Sequence, residues 1–238
     1  MSFIGKSIDR LKNLSGPTKM FIWVTVVGVA LDQWTKYLVV KHLTRSFDLV
    51  GGEALGFWGG VWRWIVHRHP PRGTVVEISR DFWHLRYVEN PGAAWGFLSS
   101  AGQWFRVPFF LLVSCAAMAF IIAYFRKTTA GQGLLRVALA MVFSGAVGNF
   151  LDRIRLGYVI DFVDWHWYDR FTWPTFNIAD AFISVGVGLL ILDMLLNKPP
   201  ATAEAKDGAA NKAHKDAKKA AGAQADDTNP ATESKAAQ

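Results

Sequence analysis

The 238-residue sequence predicts an all-α membrane protein with four transmembrane helices, a small outer β-sheet cradle and a surface-lying amphipathic insertion. Three observations predict it. Four separate apolar runs approach the roughly 20 residues needed to cross a bilayer as a helix. A Trp-rich stretch, Gly51 to Gly73, follows the first run, and Trp prefers the membrane interface. Next, Thr74 to Val88 interleaves β-branched and aromatic residues with polar ones, as in strands that half face water. The composition agrees: 51% apolar, 17 Phe, 11 Trp and a net charge of +7. Much of the Lys and Arg flanks the apolar runs, which suits anionic lipid headgroups and not nucleic acid.

In order, residues 1–19 form a cytoplasmic basic lead-in. Ile4, Ile8 and Leu11 can face lipid while Lys6, Arg10 and Lys12 face headgroups; a loose polar terminus is the alternative. The membrane domain spans residues 20–196, with helices over about 20–40, 107–125, 134–151 and 178–196. The first helix is too long, and lacks the small-residue site, for a cleavable signal peptide. Asp32 and Lys36 lie four apart and share one face. They satisfy each other as an ion pair, or they brace a site or touch a substrate headgroup.

The outer segment, 43–104, holds His67 and His69 beside Pro70 and Pro71. That is poor ligand geometry, so no metal is expected there. Asn90 and Pro91 mark a turn, and Ala93 and Ala94 let another backbone approach closely. This is either an ordinary loop or an extended edge that pairs with a peptide. The lone Cys115, inside the second run, reads as a core residue and excludes an intramolecular disulfide. In the third run, SGAVGN permits close helix packing. Residues 197–238 have too little apolar content for a core and are expected to be a disordered cytoplasmic tail.

Basic flanks set the orientation. Lys6, Arg10, Lys12 and Lys19, then Arg126, Lys127 and Arg136, then Lys198 all fall on one side. Both termini are therefore expected to be cytoplasmic, with the long outer segment opposite.

The stretch from Gly148 to Asp180 concentrates acids: Asp152, Asp161, Asp164, Asp169 and Asp180, with Arg153, Arg155 and Arg170. Acids this close to membrane helices invite a functional reading. Asn149, Asp152 and Arg153 emerge at the outer end of the third helix. Asp152 reads as a brace, and Arg153 as a brace or a grip on a carbonyl or anionic group. Asp161 lies in GYVIDF, and Asp180 opens the fourth helix in FNIAD. If the intervening loop folds back, the two acids meet at the membrane edge. Burial and repulsion would then let them share a proton, as aspartic peptide hydrolysis requires. The spacing alone is not specific: Asp180 also suits a helix start, and Asp161 could pair with Arg170. Asp164 and Asp169 read as loop residues without a role.

The motifs DQWTK at Asp32, NPGAAWGF at Asn90, GNFLDR at Gly148, GYVIDF at Gly157 and FNIAD at Phe176 together resemble the lipoprotein signal peptidase family, signal peptidase II. The resemblance covers about residues 20–196. It implies an aspartic endopeptidase of the bacterial inner membrane, active near its outer face. Such an enzyme cuts prolipoproteins just before a diacylglyceryl-modified cysteine. It implies Asp161 and Asp180 as the catalytic pair, with Asp32, Lys36, Asn90, Asn149, Arg153 and Asn177 lining or supporting the site. Asp152, Ala93 and Ala94 are counted with them, and the cradle falls on about Thr74 to Ser99. No metal or organic cofactor is implied; the partners are prolipoprotein and membrane lipid, and the chain is expected to act as a monomer. Departures are the long Gly51–Gly73 insertion, the tail, Pro91 in place of the usual Thr and Trp95 in place of Phe.

Overall fold

Ser15 starts the first helix: its hydroxyl accepts from the Thr18 amide at 3.4 Å, and Pro17 occupies the first turn, where a missing N–H costs nothing. That helix, α1 (Gly16–Leu43), is followed by α2 (Gly56–Val66), β1 (Val75–Ser79), β2 (Trp83–Asn90), α3 (Gln103–Phe125), α4 (Gly133–Leu156), β3 (Val159–Trp167), β4 (Phe171–Thr172) and α5 (Ile178–Leu196). The computed structural model describes residues 13–48, 56–66, 69–92, 98, 100–168 and 170–197. The lead-in before residue 13, the tail after 197, and Ala93, Ala94, Trp95, His67 and Asp169 lie outside the described residues. The chain to Asp193 folds as one unit; of the second, from Met194, only the last residues of α5 and Asn197 are described.

Among the described residues three helices, α3, α4 and α5, are long and apolar enough to cross a membrane. They stand where the second, third and fourth runs were expected, with α4 extending to Leu156. Cys115 is exposed on α3, contrary to the core reading. A helix surrounded by lipid turns apolar residues outward, so an apolar run does not by itself mean burial in protein. The first expected run corresponds to α1, whose 28 residues include Asp32 and Lys36.

Small residues decide how closely the helices approach. A Cβ on Gly145 would sit 2.2 Å from the Ala179 carbonyl oxygen, and one on Gly148 would sit 2.6 Å from Asp32 Oδ2. The expected tight packing at SGAVGN is therefore present. Gly145→Ala is expected to destabilise the protein by about 1–3 kcal/mol, because a backbone carbonyl cannot yield as a side chain can. Gly188→Ala, with nothing within 4 Å, is the control. Thermal unfolding in detergent measures both, and equal melting temperatures would refute the close approach.

The antiparallel sheet has the order β1-β2-β3-β4. Its first two strands occupy the stretch read as the cradle. The strand β3 was not expected, and Asp164 lies in it and not in a loop. Four residues at its start, Val159 to Phe162, are all buried, so the period-2 pattern is lost and the segment reads as one apolar run. On one face Ile160 and Phe162 join Tyr37, Val40, Leu43, Phe47 and Trp64 in a core beneath the sheet. The register pairs His84 with Asp164, Val88 with Asp161 and Asn90 with Val159. β2 is thus internal, although β1 reaches only as far as Arg86 along it. The insertion forms α2, which exposes Phe57, Trp58, Trp62 and Ile65 while burying Trp64.

Candidate active site

The site is built in two polar layers between α1, α4, β3 and the start of α5. In the inner layer Lys36 Nζ lies 2.9 Å from both Asp32 Oδ2 and Asp152 Oδ2. All three side chains are at most 1% exposed. An isolated buried charge would be prohibitively costly; one cation between two anions, with every group hydrogen-bonded, is tolerable. Asp32 Oδ1 also accepts from the Ala179 amide at 2.9 Å, and Asp152 Oδ2 from the Ile160 amide at 3.1 Å. The same acids therefore pin α5 and β3 to the bundle. Gln33 Nε2 bridges them, donating to Asp32 at 3.0 Å and to Asp152 at 3.2 Å.

Above it lies an amide layer. Asn149 Oδ1 accepts from Lys36 Nζ at 3.4 Å and from Asn177 Nδ2 at 3.1 Å, while its own Nδ2 donates to Asp180 Oδ1 at 2.7 Å. Asn177 Nδ2 donates to Asp161 Oδ1 at 2.7 Å, and Asn90 Nδ2 donates to Asp161 Oδ2 at 2.9 Å. Asn177 precedes α5 and Asp180 is its third residue. Asp180 N donates to Asn177 Oδ1 at 2.9 Å, and Asn177 N to Asp180 Oδ2 at 3.2 Å. This is a reciprocal cap, so Asp180 does serve the helix start. It also leaves Asp180 and Asp161 tied to one shared asparagine, Asn177, with Asn149 completing the hold on Asp180 and Asn90 that on Asp161.

Burial pushes the Asp161 carboxyl up to about 7, and the charge of Asp180 adds to the effect; Asn90, Lys36 and Asn177 oppose it. An acid held this high retains its proton near neutrality and can donate it. Asp180 opens on a cavity of about 490 Å³, lined also by Asn90, Asn149, Arg153, Trp165 and Trp173, with Asp161 buried behind Asn90. Arg153 reaches it from α4, donating to the Gly92 carbonyl at 3.0 Å and stacking 4.7 Å from the Phe110 ring.

Asp32, Lys36, Asn90, Asn149, Asp152, Arg153, Asp161, Asn177 and Asp180 thus converge, while Asp161 turns to the two amides and not to Arg170. Asp152 and Arg153 take separate partners, as adjacent helical residues must. Gln33 was missed although it stands beside Asp32 in DQWTK. Arg155 was also missed; it approaches Asp152 at 3.5 Å and lies 3.9 Å over the Trp64 ring. His69 is a core residue: it is fully buried, its Nε2 lies 3.1 Å from the Trp64 carbonyl, and burial lowers its pKa to about 4.

A family model described as Signal peptidase (SPase) II matches residues 24–196. The lipoprotein signal peptidase of Anaeromyxobacter sp. (strain Fw109-5) is 52% identical over 171 residues, covering 70% of this chain and 80% of that protein. That of Geobacter sulfurreducens is 50% identical over 177 residues, 74% of this chain and 92% of its own. A bacterial membrane enzyme solved by the in meso method at 2.3 Å resolution superposes with a TM-score of 0.55 at 29% identity, covering 76% of this chain and 93% of that one.

Proposed function

This chain belongs to the signal peptidase II family and removes signal peptides from prolipoproteins, and on that premise we propose that Asp161 and Asp180 carry out the hydrolysis. The observation that carries the proposal is the convergence of two carboxylates on one asparagine network beside a cavity, with Asp161 held up to about 7. Asp161 is the acid and Asp180 the base. Asp180 takes a proton from water, the water oxygen attacks the scissile carbonyl carbon, and Asp161 protonates the carbonyl oxygen. Asp180 then returns its proton to the leaving nitrogen as the C–N bond breaks, while Asp161 takes back a hydroxyl proton from the collapsing tetrahedral intermediate, which leaves a carboxylic acid and an amine and restores both acids to their starting states. Arg153, steadied on the Gly92 carbonyl, grips a substrate carbonyl. The bond cut precedes the diacylglyceryl-modified cysteine.

The same proposal makes α1 a fourth membrane span. Its charges Asp32 and Lys36 are buried, while Ile22, Trp23, Val26, Val27 and Leu31 are exposed, so an apolar surface faces lipid. Both termini are cytoplasmic and the acids lie near the outer face of the inner membrane. There α2 rests in the interface on Phe57, Trp58 and Trp62. A lipid-tethered substrate presents its peptide bond at that depth, and a single copy suffices to cut it.

The test is the pH profile of signal-peptide release from a lipid-modified prolipoprotein, read by gel shift with the reconstituted protein. As pH rises through about 7, Asp161 loses the proton it must donate, so kcat/KM falls about tenfold per further pH unit. Asn90→Ala removes a hydrogen bond that stabilises the charged form and moves this limb to higher pH. A profile flat to pH 9 would overturn the assignment of Asp161 as acid.

A further inference from the structure

We infer that His84, Asp164 and His166 form a binding site for a divalent transition-metal ion that clamps β2 to β3 on the outer sheet. Their ligand atoms all lie within 4.8 Å of one another. His84 stands directly opposite Asp164 in the register, and His166 is two residues further along β3, so all three share one face. That face also holds Ile160 and Phe162. It is the reverse of the face bearing Asp161 and Trp165, the latter lining the cavity. The cluster is therefore separate from the peptidase site and does not depend on how that site works.

The hydrogen bonds around the cluster leave the right lone pairs free. His166 Nε2 lies 3.2 Å from the Arg80 carbonyl oxygen. A carbonyl only accepts, so Nε2 carries the proton and Nδ1 keeps its lone pair. His84 Nε2 is buried with no hydrogen-bond partner, and so is Asp164 Oδ1. The other carboxylate oxygen, Asp164 Oδ2, is held 2.9 Å from Arg86 Nε, and Arg86 Nη2 donates to Thr175 Oγ1 at 3.0 Å. Outer partners of this kind fix ligand tautomer and direction in metal sites. Unpaired buried polar atoms are uncommon, and two of them on residues of one cluster, beside a third free lone pair, call for a shared partner.

Two imidazoles and one carboxylate suit Zn²⁺ and its neighbours, whereas Ca²⁺ and Mg²⁺ prefer oxygen alone. Ligands about 2.0–2.1 Å from a tetrahedral ion sit roughly 3.3 Å apart, so the side chains rotate inward by up to about 1.5 Å on binding. A fourth position stays open to water. The charge of Arg86 weakens the attraction for a cation while holding the carboxylate in place.

The experiment uses the full chain in detergent, stripped with a chelator and titrated with ZnCl₂ in a calorimeter, with thermal unfolding in parallel. One ion is expected to bind per chain and to raise the melting temperature. The double variant His84→Gln/His166→Gln is expected to lose at least about 100-fold in affinity, since losing even an outer partner costs about 10–100-fold. It should also lose the thermal shift. His42→Gln, on an exposed ring, keeps both. Should the double variant not fold, the single His166→Gln, on a half-buried ring, carries the same test. Absence of one-to-one binding, or binding and thermal shift unchanged by the His84 and His166 substitutions, would overturn the site.

Discussion

Asp161→Asn and Asp180→Asn are each expected to cut signal-peptide release by at least about 10³-fold, because each removes one of the two proton carriers. The two substitutions are nearly isosteric, so the loss comes from chemistry and not from shape. Asp161 makes the sharper case. Its folded pKa stands near 7 against an ordinary 3.8, so ionising it costs stability as pH rises from about 4 to about 7. An amide at that position removes this penalty. It also turns one NH₂ group toward Asn90 or Asn177, both of which now donate to the carboxylate, at a cost of about 1 kcal/mol. Asp161→Asn should therefore be inactive yet at least as stable at pH 7 as the parent. Asp180→Asn alters a helix cap as well as a catalytic group, and is expected to lose about 1 kcal/mol of stability along with activity. Melting temperatures and gel-shift rates on the same preparations separate the two effects. Normal processing by either variant would refute the paired-aspartate mechanism, and a collapsed melting temperature would show a structural role for that acid instead.

Lys36→Met is expected to cost about 3–5 kcal/mol of stability. The ammonium is the one cation within 3 Å of both Asp32 and Asp152 among the described residues, and all three groups are buried. Without it two carboxylates remain enclosed, and they also anchor the amides of Ala179 and Ile160. Loosening either anchor shifts α5 or β3, and with them Asp180 or Asp161. Adding Asp32→Asn to Lys36→Met removes one of the orphaned charges and should recover at least about 1 kcal/mol, a coupling that a double-mutant cycle measures. Strict additivity of the two changes, or wild-type stability in Lys36→Met, would show that the triad is not the bolt between these elements.

How much of this was legible in the sequence differs from residue to residue. Apolar length marked α3, α4 and α5, because crossing lipid demands a continuous run whatever the neighbours are. Interleaved β-branched and aromatic residues marked β1 and β2, whose side chains partly face water. β3 escaped because both of its faces are covered at its start, which erases the alternation that identifies a strand. Asp32 and Lys36 were legible as a pair because helical spacing puts them on one face. Their third member, Asp152, comes from another helix 116 positions beyond Lys36, a proximity that no local spacing encodes.

The sequence by itself determined the membrane setting, the close-packing glycines and, through its resemblance to a family, which acids to watch. Only the tertiary structure decided how those acids differ. Asp152 is neutralised by Lys36, Asp164 is held by Arg86, and Asp161 is buried on asparagine donors close enough to Asp180 to feel its charge. The physical reason is that a carboxylate's chemistry is set by its desolvation and by the charges around it, and those neighbours are assembled from α1, α4, β2, β3 and α5 only when the chain folds.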